Sequence, residues 1–442
     1  GVSAEVSAGS QETGTAAVFA ATDHASVAID LLRTGGYVLV RPSERGAIDI
    51  PADSEHASVD ATLRGAGAFL RASYYDESRE NGTPLQVNDT TIRQLAGGGD
   101  FVFGGGQLTL RAFGSDQDFR QTFSAVAANR AIERLTLDQR IPSRGFGGSA
   151  QWSRPIGTRH AILTGAELRD VRATVDAREV QQRITAAFVE DIFVATPSLS
   201  LTTGIRVDSS EWSPRLSALY RISDDVALTA SAYRAFREPT LNELYRPFRV
   251  GNILTIANDN LGNERLTAFE MGARVRNVRV NLFTMETVDA VANVTLSVTP
   301  TLITRQRQNV GESRSRGAEI EADWHLRATH LSFGYLFADA VIDSGKRVPQ
   351  VARHQLTAQA SWNERVGVQA RWSTRQFDDD LNQFPLRGYF VADAFASHPL
   401  HARLDATLAI ENLFDRRIEA SATPVITLGQ PRAWRAGLRW RM

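Results

Sequence analysis

The sequence predicts an all-β fold, a transmembrane antiparallel β-barrel of about 22 strands. Three observations predict it. The first is strict alternation at the end of the chain, over 432–442. Trp434, Ala436, Leu438, Trp440 and Met442 fall on one side, and Arg435, Gly437, Arg439 and Arg441 on the other. A strand with an apolar, aromatic face backed by a charged one suits lipid on one side and a polar lumen on the other. The second is that no apolar run approaches the roughly 18 residues of a membrane helix. A chain without such runs crosses lipid only as a closed barrel, in which every backbone group is paired. The third is spacing: tight turns recur about every 40 residues with longer connections between them, which gives about eleven hairpins.

The strands can be justified in order. The segments 1–10, 14–21 and 26–32 read as strands of small residues, although the first 130 residues are the least regular. The glycine-rich 97–106 reads as a bend or tip. Later segments alternate with period two. Phe269, Met271, Ala273 and Val275 oppose Glu270, Gly272, Arg274 and Arg276; Ala318, Ile320, Ala322 and Trp324 oppose Glu319, Glu321 and Asp323. Leu356, Ala358, Ala360 and Trp362 oppose Thr357, Gln359 and Ser361, and Val366, Val368, Ala370 and Trp372 oppose Gly367, Gln369, Arg371 and Ser373. In 402–411, Leu404, Ala406, Leu408 and Ile410 oppose Arg403, Asp405, Thr407 and Glu411. Tight turns are expected at 155–158, 195–198, 223–225, 277, 325–329, 363–364 and 397–400. Long loops are expected at 35–56, 75–88, 237–265, 298–312, 377–387 and 414–431. Trp324, Trp362, Trp372, Trp434 and Trp440 sit on apolar faces near strand ends, where the aromatic girdles of a barrel lie. A soluble β-sandwich could hide a few such residues, but not about twenty strands with charges on the opposite face.

Composition narrows the function. The net charge is −1, so nonspecific nucleic-acid binding, which needs a basic excess, is disfavoured; Lys346 is the only lysine among the 49 basic residues. There is no cysteine, hence no disulfide framework and no thiolate nucleophile or metal ligand. The eight histidines are scattered, and no pair has metal-ligand spacing on one strand. His325, His398 and His401 fall in or beside turns, where a solvated role is expected. No G-x-S-x-G elbow places a nucleophile, so no catalytic residue, cofactor or metal is assigned.

Four stretches carry a resemblance. Tyr233–Tyr245 reads YRAFREPTLNELY, with Phe236, Arg237, Pro239, Asn242, Glu243 and Leu244 as its marked positions. Asn258, Leu261 and Glu264 follow, then Glu270 and Gly272; Asn309, Val310 and Gly311 lead to Arg316–Glu321; Ile410–Asp415 precedes the last strand. In this order they resemble the signature of TonB-dependent outer-membrane receptors, over the second half of the chain. The resemblance implies a 22-stranded barrel in the bacterial outer membrane, inserted by the barrel-assembly machinery, with no enzyme activity. It implies uptake of a scarce ligand, such as a ferric siderophore or cobalamin, driven by the TonB complex acting on an N-terminal plug.

The sequence departs from the family pattern at both ends. No plug or TonB box is visible, so 1–442 is read as one barrel domain without its plug, and as a monomer. Either the barrel belongs to a longer receptor, or it is a plugless, porin-type passive channel. A receptor that only binds is a third reading. Met442 stands where such barrels commonly end in an aromatic residue.

The expected ligand contacts are Tyr245, Arg246, Phe248 and Arg249. Aromatic faces beside planar bidentate cations suit an anionic, partly aromatic ligand such as a ferric chelate. The marked motif residues are expected to be structural, closing the strand top and packing the loop. Haem importers of the family often carry a histidine between the two motifs; none lies between Pro239 and Asn258, which disfavours haem. Asp378, Asp379 and Asp380 offer oxygen ligands suited to Ca²⁺, but three acids at a loop tip are expected to be solvated.

Overall fold

A computed structural model describes residues 1–250, 253–299 and 302–442. Twenty-two antiparallel strands form the wall, from Val2–Gly9 to Ala433–Arg441. Each wall strand pairs with its neighbours in the wall. The first and last close the ring in a register that runs from Ser3 opposite Arg441 to Gly9 opposite Arg435. Closure removes the free edges that an open sheet would expose to lipid.

The alternation places side chains as the sequence predicts. On the last strand Trp434 and Leu438 are exposed on the outside. Arg435, Arg439 and Arg441 point inward to Glu411, Glu5 and Asp405 on adjoining strands. Phe269, Met271 and Val275 are likewise exposed on the outside, whereas Tyr233 donates to Glu270 inside at 2.8 Å. Trp324 and Trp362 flank the turns at one end, with Trp440 and Trp152 at the same level; Trp372, Trp434 and Trp212 lie near the other end. Trp152 and Trp212 extend the two belts beyond the five expected from the sequence.

Lumenal glycines have a visible cause. A Cβ on Gly367 would meet the Phe395 ring at 2.3 Å, and one on Gly147 would meet the Phe113 ring at 2.6 Å. Each ring covers its cross-strand glycine, so backbone that would otherwise be wetted is shielded. Gly367→Val should therefore displace Phe395 and reduce the folded, heat-modifiable fraction on gels, whereas Gly367→Ser should do so less.

The two ends differ. At one end the connections are 22–24, 66–67, 104–105, 157–159, 197–198, 222–225, 276–277, 327–328, 363–365 and 402–403, and residues 1 and 442 lie there too. The other end carries the long connections, among them 35–53, 238–263, 374–388 and 412–432. Short turns mark the periplasmic side and long loops the outer side.

Several expected boundaries are corrected. Gly97, Gly98 and Gly99 lie inside the strand Val87–Phe103; only 104–105 forms the turn. The strand Tyr389–His401 continues through 397–400, with a register shift at Pro399, so the turn is 402–403 and Arg403 belongs to it. Arg276 also sits in a turn, with φ of 52°. Much of 298–312 is strand, because Val278–Val298 and Ile303–Leu326 pair up to Val298 and Ile303. Similarly, 75–88 is mostly strand. Val278–Val298 and Ile303–Leu326 are 21 and 24 residues long, whereas spanning needs about 9–11. The outer half of Ile303–Leu326 stands beyond the bilayer and has polar residues on both faces, so the alternation that reveals a strand is lost there, although its partner keeps Val288, Ala290, Ala292, Val294 and Leu296 on one face.

Candidate ligand-binding site

The segment 238–263 leaves the strand Val226–Arg237 and does not remain above it. A capping box starts a short helix, Leu241–Tyr245. Thr240 Oγ1 accepts from the Glu243 amide, and the Glu243 carboxylate accepts from the Thr240 amide. The helix buries Leu241 against Ala173, Val175 and Val180, with Tyr245 beside them. Two short strands follow, Phe248–Val250 and Ile253–Ile256. The second runs parallel to Ile303–Leu326, with Thr255 opposite Arg305. On the opposite flank, Gln139 Nε2 donates to the Pro247 carbonyl at 3.3 Å, and Arg246 reaches Gln121 on Gly106–Val126. Gly106–Val126 and Ile303–Leu326 are nine strands apart in the wall of 22. A segment touching both crosses the outer mouth of the barrel.

Arg246 lies in this crossing. Its Nε donates to Gln139 Oε1 at 3.0 Å and its Nη2 to Gln121 Oε1 at 2.5 Å. Its guanidinium lies over the Phe119 and Phe123 rings, 5.1 and 5.8 Å from their centroids. Arg307 lies beside it, over the Phe248 ring at 5.0 Å, and donates to the Asn242 carbonyl at 2.9 Å. Arg305 is two residues away on the same face of its strand, and its Nε is buried without a partner among the described residues. No carboxylate lies within ion-pair distance of Arg246, Arg305 or Arg307 among the described residues. Burial, with the nearby Arg307 charge, lowers the Arg246 pKa. The guanidinium stays charged even so, because arginine is far too basic to lose its proton near neutral pH. The result is a half-buried cationic centre with aromatic faces and spare N–H donors.

Of the four residues expected from the sequence, Arg246 enters this centre directly and Phe248 enters it under Arg307. Tyr245 instead stacks under Arg178 at 5.0 Å and packs in the apolar cluster. Arg249 lies in the Phe248–Val250 strand, partly buried. Arg305, Arg307, Gln121, Gln139, Phe119 and Phe123 were not singled out by the sequence. They lie 59 to 127 residues from Arg246 and meet only because the loop crosses the mouth.

The motif residues gather at the base of the loop. Arg237 donates through Nε and Nη2 to Glu264 at 2.7 and 2.8 Å, and through Nη1 to Glu243 at 2.7 Å. Glu264 also accepts the Val291 amide at 2.5 Å. Burial pushes the Glu243 carboxyl up, but the bonds from Arg237 and Thr240 outweigh it and hold the group below the usual carboxylate range. Gln182 clasps Glu238 and the Pro239 carbonyl, both at 3.0 Å. Asn258 donates to the Arg307 carbonyl at 2.8 Å, and Asn309 bonds Gly262 in both directions. Leu261 is buried, Phe236 and Leu244 are partly buried, and Gly272 leaves room for the Thr229 hydroxyl. Arg237→Ala should loosen this base by about 1–2 kcal/mol, since the bonds are charge-assisted but half exposed. Amide exchange in 240–264 should then rise roughly tenfold.

A model of the family "TonB dependent receptor-like, beta-barrel" matches residues 30–413. The chain belongs to this family. It is an outer-membrane barrel of a class of receptors and transporters, not of enzymes. The receptor barrel resembles the siderophore receptor PirA of Acinetobacter baumannii at a TM-score of 0.78 and 13% identity, covering 99% of this chain and 80% of that one. It resembles the ferric enterobactin receptor PfeA of Pseudomonas aeruginosa, solved with enterobactin, at 0.77 and 14%, covering 99% and 81%. The curated vitamin B12 transporter BtuB of Photobacterium profundum is 24% identical over 337 residues, covering 70% of this chain. That match spans 51% of the BtuB sequence, about half its length.

The remaining loops of the receptor barrel interlock beside the crossing. Segment 35–53 bridges to 412–432, where the Arg41 amide donates to Ile426 at 2.9 Å and the Leu428 amide to Leu39 at 2.7 Å. Asp378 and Asp379 are not solvated, contrary to expectation. Asp378 accepts from Gln350, Ser421, Thr423 and the Ala422 amide. Asp379 is buried and accepts the Gln383 and Phe384 amides. Their lone pairs are used within the loops and do not converge on an ion. Burial pushes the Asp378 carboxyl up, yet these bonds outweigh it and hold it below its ordinary value. The loop pair therefore has the full stabilisation above about pH 4. It loses it as pH falls further, through the lowered value. Limited proteolysis of 374–388 should be unchanged from pH 7 to 5 and should increase near pH 3. Asp378→Asn should show the increase at pH 7.

Proposed function

We propose that this barrel is the translocating part of a TonB-dependent importer for an anionic chelate of the ferric-siderophore class. The observation that carries this is the half-buried cationic centre of Arg246, Arg305 and Arg307 at the roofed outer mouth, which has no ion-pair partner among the described residues and only the Glu243 carboxylate acting on Arg307 from nearby. Guanidinium groups over phenylalanine rings bind planar oxyanions and aromatic chelating groups by charge, bidentate bonds and stacking. The partners of the proposal are outer-membrane lipid, the ligand, and the TonB complex acting on a plug carried by further N-terminal sequence. Likeness to PirA and PfeA supports the siderophore class, and that to BtuB favours cobalamin as the second reading.

Equilibrium binding to the chain in outer-membrane preparations tests the choice. A ferric catecholate should bind saturably, and Arg246→Gln and Arg307→Gln should each weaken it by roughly tenfold to a hundredfold, the loss of one or two charged hydrogen bonds. Cyanocobalamin binding that is indifferent to both substitutions would favour the second reading.

A further inference from the structure

A second cluster lies at the opposite end of the barrel and is independent of the ligand site. The strands Ile303–Leu326 and Thr329–Ile342 meet in the two-residue turn 327–328, in which Arg327 takes φ of 57°. This turn sets the register so that His325 lies directly opposite His330. Asp323 lies two residues before His325, on the same lumenal face as the inward row Glu319 and Glu321. Trp324, between them, points outward at the periplasmic girdle. The two imidazoles stack with centroids 4.2 Å apart and planes 15° apart. Both address one carboxylate: His330 Nε2 lies 2.7 Å from Asp323 Oδ2 and His325 Nδ1 lies 3.2 Å from Oδ1.

We propose that Asp323, His325 and His330 form a binding site for a divalent transition-metal ion of the Zn²⁺ class, at the periplasmic rim of the lumen. One ligand atom from each residue lies within 4.8 Å of the others. Tetrahedral donors at zinc bond lengths stand about 3.3 Å apart, so small side-chain rotations bring the set together. Two imidazoles and one carboxylate suit Zn²⁺, Ni²⁺ or Cu²⁺ better than Ca²⁺ or Mg²⁺, which prefer all-oxygen sets. The ion takes the imidazole nitrogens that face Asp323 in their deprotonated form, together with the carboxylate. Each ring keeps its remaining proton on the distal nitrogen, and any surplus proton leaves to solvent. Three protein ligands leave at least one position open for water or for a group inside the lumen.

The surroundings do not block the site. Arg274, Arg276 and Arg279 share the recess with Asp323. Arg276 and Arg279 already pair with Asp225 at 3.3 Å and with Glu321 at 2.9 Å, and Arg274 donates to the Asp224 carbonyl. The ligands stand on paired strands of a closed sheet, so little ordering cost is left for the ion to bring them together.

Calorimetric titration of the untagged full chain in detergent with ZnCl₂ tests the proposal. One Zn²⁺ per chain is expected. His325→Gln and His330→Gln should each weaken it roughly tenfold or more, and Asp323→Asn should also weaken it. The double variant His398→Gln/His401→Gln, which removes two histidines elsewhere near this rim, should bind like the parent. Heat-modifiable migration checks that every variant is folded. Absence of saturable Zn²⁺ binding by the folded parent, or binding that survives His325→Gln/His330→Gln, would overturn the proposal.

Discussion

Leu408→Arg should stop the barrel from accumulating in the outer membrane, whereas Thr407→Glu, one residue away, should assemble normally. Leu408 is exposed on the outer face of the strand Leu404–Glu411, paired with Ala436 and Ala396 on its neighbours. An arginine near the bilayer midplane costs about 2–4 kcal/mol. The last strands join the first to close the ring, so a defect there leaves a free edge in lipid. Thr407 faces the lumen, in the recess lined by Arg435, Arg439 and Arg441. A carboxylate there keeps water and stands among arginines that already pair with Glu411, Glu5 and Asp405. Trp434→Asp should impair assembly less than Leu408→Arg, because cost falls toward the interface and is smaller for acids. Arg403→Gln, in a periplasmic turn, should be mild. Heat-modifiable migration and surface protease protection provide the measurement. Equal assembly of Leu408→Arg and Thr407→Glu would mean that the faces are assigned the wrong way round.

Arg130→Ala should release the 35–53 loop while leaving the wall intact. Arg130 pairs with Asp49 through Nε at 2.8 and 2.9 Å and through a further contact from Nη2. The Asp49 side chain is completely buried and that of Arg130 is 10% exposed. Burial pushes the Asp49 carboxyl up, but the bonds from Arg130 and the Gly46 amide outweigh it and hold it below its ordinary value. Removing the cation leaves a buried, uncompensated charge, which costs about 3–5 kcal/mol. Exchange of the Ile48 amide, which bonds the Arg130 carbonyl at 3.2 Å, should then accelerate by roughly a hundredfold or more. Replacing both members, as in Asp49→Leu/Arg130→Leu, should restore much of the protection, because the apolar pair carries no stranded charge. If the double variant opened as far as Arg130→Ala, the ion pair itself would be indispensable and the desolvation argument would fail.

The wall of the barrel was legible in the sequence because lipid demands it. Each membrane segment must be apolar on one face only, so residues such as Phe269, Met271 and Val275 announce both strand and orientation. Beyond the bilayer this demand ends. The outer half of Ile303–Leu326 is polar on both faces, and it resembled a loop. The candidate site was legible only in part. Arg246 and Phe248 stood out by composition, but Arg307 and Gln121 are brought to them by a crossing that no local pattern encodes. The Asp323, His325 and His330 cluster needed the turn to be fixed at 327–328. With the turn known only as 325–329, the partner of His325 was undetermined, and a slip of one residue would send His330 to the lipid face. Asp378 read as solvated because its donors lie 28 to 45 residues away, whereas Asp379 is held by backbone amides of its own loop, four and five residues on, which side-chain type does not announce.

The most direct test of the central reading is accumulation of a labelled ferric siderophore by cells that depend on this receptor, before and after a protonophore collapses the proton gradient. Saturable uptake is expected, stopping on collapse and reduced by Arg246→Gln and Arg307→Gln. Uptake that rises linearly with concentration and continues after collapse would contradict the central reading, and would make the barrel a passive channel.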